Sequence, residues 1–260
     1  MCDLLKISLS YDLTIRYRFV AFNYQYVDCK SRKLPSHIAW KSPPLQEALL
    51  EIRFEPVNDY AIYAGGMALG LKEDFPISEK LAMAEFPGLP PGIVMHRFFN
   101  EEKSLLFQTG NDILSVNSTN YKGFNLFVES IRNVLTNARK FVSSSKINRL
   151  GLRYINNLSK STNPLSTLNV NLPFEHIDIN RSKEILFRQV SQEDNEIILS
   201  VNVSSSEPTR KLILDIDAFH FPDNIDWDID LIVGWIDTAH EAIYANFEKL
   251  VSPEEKEIRK

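Results

Sequence analysis

Apolar and charged residues alternate most clearly around residue 50 of the chain. Leu50, Ile52 and Phe54 are apolar, whereas the intervening Glu51 and Arg53 are charged. A period of two is typical of a β-strand that buries one of its faces. Three further strand-like runs follow, at residues 96–99, 104–109 and 113–117. Short polar or glycine-containing linkers separate these runs, so the pattern predicts a meander of antiparallel strands.

The spacing of apolar residues becomes helical after this meander. From Phe124 to Val142 they recur at intervals of three and four, with Glu129, Arg132 and Arg139 between them. This spacing predicts an amphipathic helix over residues 124–142. The region from residue 60 to residue 81 is less periodic, but it could also hold a helix.

The second half of the chain repeats this order of elements. A predicted strand at residues 149–156 precedes a polar connector that runs to about residue 181. Strands at residues 186–190, 196–203 and 212–219 come next, followed by a long helix whose apolar stripe extends from Ile229 to Leu250. The repeated order indicates an internal duplication, although coincidence in a simple α+β chain would give the same pattern.

We therefore predict an α+β fold in one compact domain, made of two similar halves at residues 37–145 and 146–260. Each half is a strand, a connector, three strands and a helix. The two halves would join into one long, curved antiparallel sheet, with the helices packed on one face and the other face left for a ligand or partner.

Residues 1–36 do not fit this order. Their aromatic residues, among them Tyr17, Phe19, Phe22 and Tyr24, could form a strand or hairpin, but the segment has no clear turn chemistry. The alternative interpretation is an N-terminal extension of doubtful status, added upstream of the folded domain.

The amino-acid composition limits the functional classes to which the protein could belong. Hydrophobic residues make up 44% of the chain and charged residues 24%, as in an ordinary globular protein. The net charge of −5 gives no general attraction to nucleic acid, which we therefore do not expect as a partner. Cys2 and Cys29 lack the spacing of a zinc site or a disulfide framework, and we expect neither a metal nor a cofactor.

The sequence also gives an expectation about location. Charged residues, among them Asp3, Lys6 and Asp12, interrupt the first residues in a way that a signal peptide does not. No run approaches the ~20 apolar residues of a membrane helix. We expect a cytoplasmic protein with no membrane partner.

Two carboxylates and two arginines are the first candidates for a site. Asp215 and Asp217 are two residues apart on a predicted strand, so their side chains share one face. They could hold a cation or act as acid and base. Arg53 and Arg153 occupy matching places in the two predicted halves and could bind a phosphate or carboxylate. A cross-strand ion-pair network of these four residues is the structural alternative.

Two histidines complete the candidates. His240 lies in the last predicted helix beside its apolar stripe, where it could be a general base or a buried structural residue. His176 lies in a loop-like stretch with Glu175 and Asp178, where a metal would need further ligands. No GxSxG, HExxH or P-loop motif is present in the chain.

Several segments together resemble a known family. They are residues 44–48 running into Ile52-Arg53-Phe54, the run RLGLRYIN at residues 149–156, LDID at residues 214–217, and the His240-Glu241 and Phe247-Glu248 pairs of the closing helix. Over residues 41–255 the chain resembles a sporadically distributed prokaryotic family of proteins of about this length that has no assigned activity. The resemblance implies a start close to the first strand, and it implies a defence or stress context.

Three functional hypotheses follow. The first is a binding or sensing protein that recognises a small anionic ligand or a partner protein, with Arg53, Arg153, Asp215, Asp217 and His240 as candidate ligand-binding residues. The second is a metal-assisted or acid–base hydrolase that uses Asp215 and Asp217, and it requires both to converge with His240. The third is an interaction protein, for which an exposed apolar patch would be diagnostic. A homodimer is a further expected partnership.

Overall fold

The computed structural model describes residues 42–82, 94–158, 164–169, 182–206 and 211–259. All of them belong to the second of the two units into which the chain divides, Ala39–Lys260. The predictions for residues 1–36, for the two cysteines and for His176 lie outside the described residues.

The fold is α+β, as predicted, and the described residues contain nine strands and four α-helices. The strands are β1 Leu45–Phe54, β2 Ile77–Ala82, β3 Val94–Phe99, β4 Leu105–Thr109, β5 Ile113–Ser118, β6 Ile147–Asn157, β7 Glu184–Gln192, β8 Ile198–Ser206 and β9 Lys211–His220. The helices are α1 Tyr60–Gly70, α2 Phe124–Val142, α3 Ile229–Leu250 and α4 Pro253–Arg259.

The nine strands form a single antiparallel sheet in the order β2-β3-β4-β5-β1-β6-β9-β8-β7. The first strands of the two predicted halves, β1 and β6, pair with each other at the centre of this sheet. Outward from this pair, each side continues with the strand that precedes a long helix, β5 on one side and β9 on the other. The strand order is therefore similar on both sides of the β1–β6 pair.

The core lies against one face of this sheet, and alternation along the strands explains which residues enter it. In β1, Leu50, Ile52 and Phe54 are at most 1% exposed, whereas Arg53 between them is exposed. Apolar residues of β6 and β9 belong to the same buried cluster, which also includes residues of α1, α2 and α3. We call this side of the sheet the core face.

The ends of the helices follow local side-chain chemistry. The Asp59 carboxylate accepts a hydrogen bond from the backbone N–H of Ile62 at the start of α1, and Asp228 caps α3 in the same way. Gly123 precedes α2 with φ = +122°, a backbone conformation that favours glycine. These caps use residue types that prefer helix starts, so local sequence and structure agree.

Two elements differ from the prediction. Residues 60–81 hold β2 as well as the predicted helix α1. The β2 sequence, Ile-Ser-Glu-Lys-Leu-Ala, is rich in helix-forming residues and sits at a sheet edge, so its strand signal is weak. Helix α4 was also not predicted, although the Ser252 hydroxyl accepts a bond from the Glu255 N–H and Pro253 takes the first helical position.

Within the described residues, no helix is both long enough and apolar enough to cross a membrane.

Candidate functional site

Four of the predicted site residues share one face of the central strands. Arg53 extends from β1, Arg153 from β6, and Asp215 and Asp217 from β9, on the side opposite the buried Ile216. The register places Arg153 directly opposite Asp217. This side, which we call the polar face, also carries Glu51, Arg149 and Asn202.

A bidentate contact on the polar face joins Arg153 to Asp215. The Arg153 Nε donates to Oδ1 at 2.8 Å and Nη2 donates to Oδ2 at 2.7 Å, which is the bidentate geometry of a strong ion pair. Asn202 donates a further hydrogen bond to Oδ2 at 3.3 Å. The Asp215 side chain is only 10% exposed, so these donors replace the water that burial removes. The bond to Asp215 raises the pKa of the Arg153 guanidinium above its ordinary value.

A second set of contacts centres on Glu51. Its Oε1 accepts from Arg53 Nε at 2.9 Å and from Arg149 Nη1 at 2.6 Å. Arg149 also reaches Asp217, with 3.5 Å between Nη2 and Oδ2. Of the four residues in the predicted ion-pair network, Arg153 and Asp215 pair with each other, whereas Arg53 bonds Glu51 of its own strand and Asp217 contacts Arg149. We call these contacts together the ion-pair network of the polar face.

Gly151 makes room for Arg149 in this network. A Cβ atom at Gly151 would lie 2.8 Å from Nη1 and 3.1 Å from Nη2 of Arg149. The guanidinium group therefore lies over the backbone of β6, between Glu51 and the Phe219 ring, whose centroid is 5.6 Å from its central carbon. A larger residue at this position would displace the guanidinium group.

Asp217 has a different electrostatic environment. Its burial raises its pKa above the ordinary value of 3.8, against the opposing effect of the Arg149 and Arg153 charges. Asp217 contacts Arg149 at a longer distance than Asp215 contacts Arg153. The two carboxylates that share a strand face are therefore not equivalent.

The two predicted arginines remain half exposed, but they do not converge. The Arg53 side chain is 49% exposed and the Arg153 side chain is 42% exposed. Arg153 lies opposite Leu49, four residues before Arg53 on β1. At ~3.3 Å per strand residue, this offset separates the two positions by roughly 13 Å. Because they also bond different carboxylates, Glu51 and Asp215, the two guanidinium groups do not form one site for a small anion.

His240 lies on the other side of the sheet. It is 6% exposed in α3, its Nδ1 is 2.9 Å from the Tyr154 hydroxyl, and its ring stacks on Phe124 with 3.8 Å between centroids. Tyr154 follows Arg153 in β6, so its side chain is on the core face. The structure thus separates His240 from Asp215 and Asp217 by the thickness of the sheet, and the three residues do not form one cleft.

The carboxylates also lack the surroundings of a cation site. Among the described residues, no group of three or more His, Cys, Asp and Glu side chains is arranged to hold a metal ion. Both oxygens of Asp215 instead accept hydrogen bonds from Arg153, and Asn202 adds a third. The groups on this face that a ligand could contact are the half-exposed guanidinium groups of Arg53 and Arg153, which carboxylates hold in place.

Sequence reasoning did not single out Glu51, Arg149 or Asn202 as site residues. Two of them carried a usable signal, because Glu51 is two residues from Arg53 and Arg149 is four residues from Arg153. Residues at these spacings share a strand face. Asn202 carried no such signal, since its place beside Asp215 depends on the pairing of β8 with β9.

Comparison with models of known protein families finds no match, and comparison with curated proteins finds no significant match. The contacts and exposure of the chain's own residues are therefore the basis for inferring its function.

Proposed function

We propose that the protein is a binding module that docks a partner protein on its polar face. The observation that carries the proposal is the pair of half-exposed arginines, Arg53 and Arg153, which carboxylates of the same sheet hold in place. Arginine is enriched at the energetic centres of protein interfaces. An arginine whose side chain is already fixed loses less conformational entropy on binding than a free one.

An exposed aromatic residue beside the network supports the same proposal. Phe221 directly follows β9, is 60% exposed, and packs edge-on against Phe219 with 5.6 Å between ring centroids. Phe219 in turn lies beneath the Arg149 guanidinium. Arginine and aromatic side chains together are the typical composition of an interface core. The complementary partner surface would carry neutral hydrogen-bond acceptors for the arginines and an apolar patch for Phe221.

A small anionic ligand fits the polar face less well than a protein. The offset between Arg53 and Arg153 lets one small anion reach only one of them, and each guanidinium group already contacts a carboxylate. The positive charges are therefore largely balanced within the face. A protein surface can span both arginines at once, and it can also cover the neighbouring aromatic residue.

The architecture that supports this face is also part of the proposal. We propose that the sheet arose by internal duplication and that the helices pack on the core face, leaving the polar face open. The similar strand order on both sides of the β1–β6 pair supports the duplication. The contact of α3 through His240 with Tyr154, and the shared core cluster, support the placement of the helices.

The test is affinity capture from extracts of the source cells with the full chain and two variants, Arg53→Ala and Phe221→Ala. Both positions are exposed, so neither substitution should unfold the protein. A partner retained by the wild type should be lost or strongly reduced with each variant. Calorimetry with the purified partner should then show binding at least about tenfold weaker, as expected for contacts worth about 1.4 kcal/mol or more.

Two matched substitutions serve as controls. Arg132→Ala removes an arginine of α2 that is 45% exposed and ion-paired to Asp230, and Leu69→Ala removes an apolar side chain of α1 that is 80% exposed. Both should retain the partner. Equal retention by all four variants would reject the polar face as the docking site. A thermal shift with a nucleotide or phosphorylated metabolite that Arg53→Ala abolishes would instead assign the face to a small anion.

A further inference from the structure

Strand β7 ends the sheet and exposes apolar side chains on both of its faces. Among the described residues, β7 pairs with β8 alone, and no strand pairs with its outer edge. Leu186 is 74% exposed, Val190 is 53% exposed and Phe187 is 36% exposed. An open strand of nine residues with such side chains is a template for pairing with another strand.

A pocket lies beside this edge on the core face. It has a volume of about 400 Å³, and its lining includes Ile185 and Phe187 of β7, Val201 and Val203 of β8, and Leu250 of α3. Because Phe187 pairs with Val203 in the register, the apolar lining continues from the buried core to the open edge. A strand added to β7 would cover this apolar lining on one face and would contact Leu186 on the other.

The opposite edge of the sheet lacks these features. Strand β2 has six residues, and its central side chains, Glu79 and Lys80, are charged and exposed. Short, charged edge strands resist pairing with other chains. The contrast indicates that the exposed apolar residues of β7 are a property of that edge and not of the sheet in general.

The charged residues of β7 are complementary to those of a second, antiparallel copy of the same strand. In an antiparallel pair of two β7 strands with Leu186 opposite its own counterpart, Glu184 of each copy faces Arg188 of the other. Ile185 then faces Phe187 on the core side. Opposite charges and apolar pairs directly across two strands stabilise a sheet. In its own chain, Arg188 bonds Ser200 through Nε at 3.3 Å, which leaves its outer nitrogens for Glu184 of the second copy.

Other registers match less well. A two-fold axis at Arg188 would place the two copies of Arg188 opposite each other, and like charges in that position are destabilising. An axis at Phe187 would place Leu186 opposite Arg188 and Glu184 opposite Val190. The register centred on Leu186 pairs all charged and apolar residues of the segment from Glu184 to Arg188.

We propose that the chain forms a homodimer in which β7 pairs antiparallel with β7 of a second copy, with Leu186 facing its own counterpart. The dimer is isologous, as expected for a two-fold axis. It joins the sheets of the two copies into one continuous sheet, and it uses an edge that the proposed docking of a partner on the polar face does not require.

Charge reversal at Glu184 and Arg188 tests the dimer with surface substitutions that should not disturb folding. Glu184→Arg gives two arginine pairs across the axis, and Arg188→Glu gives two glutamate pairs. Sedimentation equilibrium of the full chain should show a dimer for the wild type and a dissociation constant at least about tenfold larger for each variant. An equimolar mixture of the two variants restores both ion pairs and should dimerise like the wild type.

The matched control is Glu79→Arg, the same charge reversal on the β2 edge, which should leave the dimer unchanged. A wild type that remains monomeric at every concentration measured would overturn the proposal. So would variants that dimerise as tightly as the wild type, because another surface would then carry the association. Failure of the mixture to recover the dimer would reject the proposed register.

Crosslinking tests the register independently of charge. In a background with Cys2→Ser and Cys29→Ser, Leu186→Cys should form a disulfide between copies under a mild oxidant. Residues directly opposite in an antiparallel pair have Cα atoms roughly 4.5–5.5 Å apart, which a disulfide can span. Val190→Cys is the control, because the same register separates the two copies of that position by about 25 Å. Crosslinking through Val190→Cys but not Leu186→Cys would overturn the proposal.

Discussion

The two faces of strands β6 and β9 use the same backbone but are stabilised in different ways. On the core face, Leu152, Leu214 and Ile216 are completely buried. On the polar face, Arg153 remains 42% exposed, although it makes two short hydrogen bonds to Asp215. Apolar burial has no preferred direction, whereas an ion pair depends on the position of each donor and acceptor.

This difference assigns most of the stability to the core face and the proposed recognition of a partner to the polar face. The core face contributes free energy through the removal of apolar surface from water, and its side chains have no access to a partner. The polar face contributes less to folding, because exposed charges gain little from pairing in water. Its charged groups are instead fixed in place and accessible, as binding requires.

The largest expected effect is a loss of stability on the core face. Ile216→Ala removes a fully buried side chain of β9 and should lower the free energy of unfolding by about 2–5 kcal/mol, because it leaves a cavity. Ile213→Ala is the matched control on the polar face of the same strand, where the residue is partly exposed, and should cost about 1 kcal/mol or less. Urea denaturation measures both. Equal losses would contradict the distinction between the faces.

A smaller effect is expected within the polar face. Arg153→Ala leaves the nearly buried Asp215 carboxylate without its main hydrogen-bond donors. It should lower the free energy of unfolding by about 1–3 kcal/mol. Arg53→Ala breaks a more exposed contact and should cost less than about 1 kcal/mol. The same denaturation experiment compares them, and a double-mutant cycle with Asp215→Ala isolates the pair. A loss for Arg53→Ala as large as that for Arg153→Ala would contradict the assignment.

Much of the core face could be predicted from the sequence. The alternation of Leu50, Ile52 and Phe54 identified both the strand and its buried side, and helix α2 has the bounds that its apolar spacing indicated. These signals are local, because each depends only on residues within a few positions. Strand β2 was missed since an exposed edge strand buries little and needs no strict alternation.

The polar face could be predicted only in part. The alternation of side chains along the strands placed Arg153, Asp215 and Asp217 on the face away from the apolar residues. It could not identify the partners of each residue. The register sets Arg153 opposite Asp217, yet its side chain bonds the diagonal neighbour Asp215, which long side chains can reach. The position of His240 required tertiary information, because only the packing of α3 brings its ring to Tyr154.

The smallest expected effect is a pH dependence at Asp217. Burial raises the pKa of this carboxyl in the folded protein above 3.8, so folded molecules retain a proton that unfolded molecules have released. Between 3.8 and the raised pKa, the contribution of Asp217 to stability therefore falls as the pH rises. Asp217→Asn removes this titration, and its free energy of unfolding should increase relative to the wild type across that window.

Urea denaturation of the wild type and Asp217→Asn from about pH 3 to about pH 7 measures this difference directly. Carboxyl groups distant from Asp217 titrate alike in both proteins, so their contributions cancel in the comparison. The difference should rise with pH and then become constant above the folded-state pKa. A difference that falls over this range would mean that Arg149 and Arg153 stabilise the ionised carboxylate by more than burial destabilises it. Asp217 would then belong with Asp215 as a paired member of the network, and the polar face would hold two equivalent ion pairs.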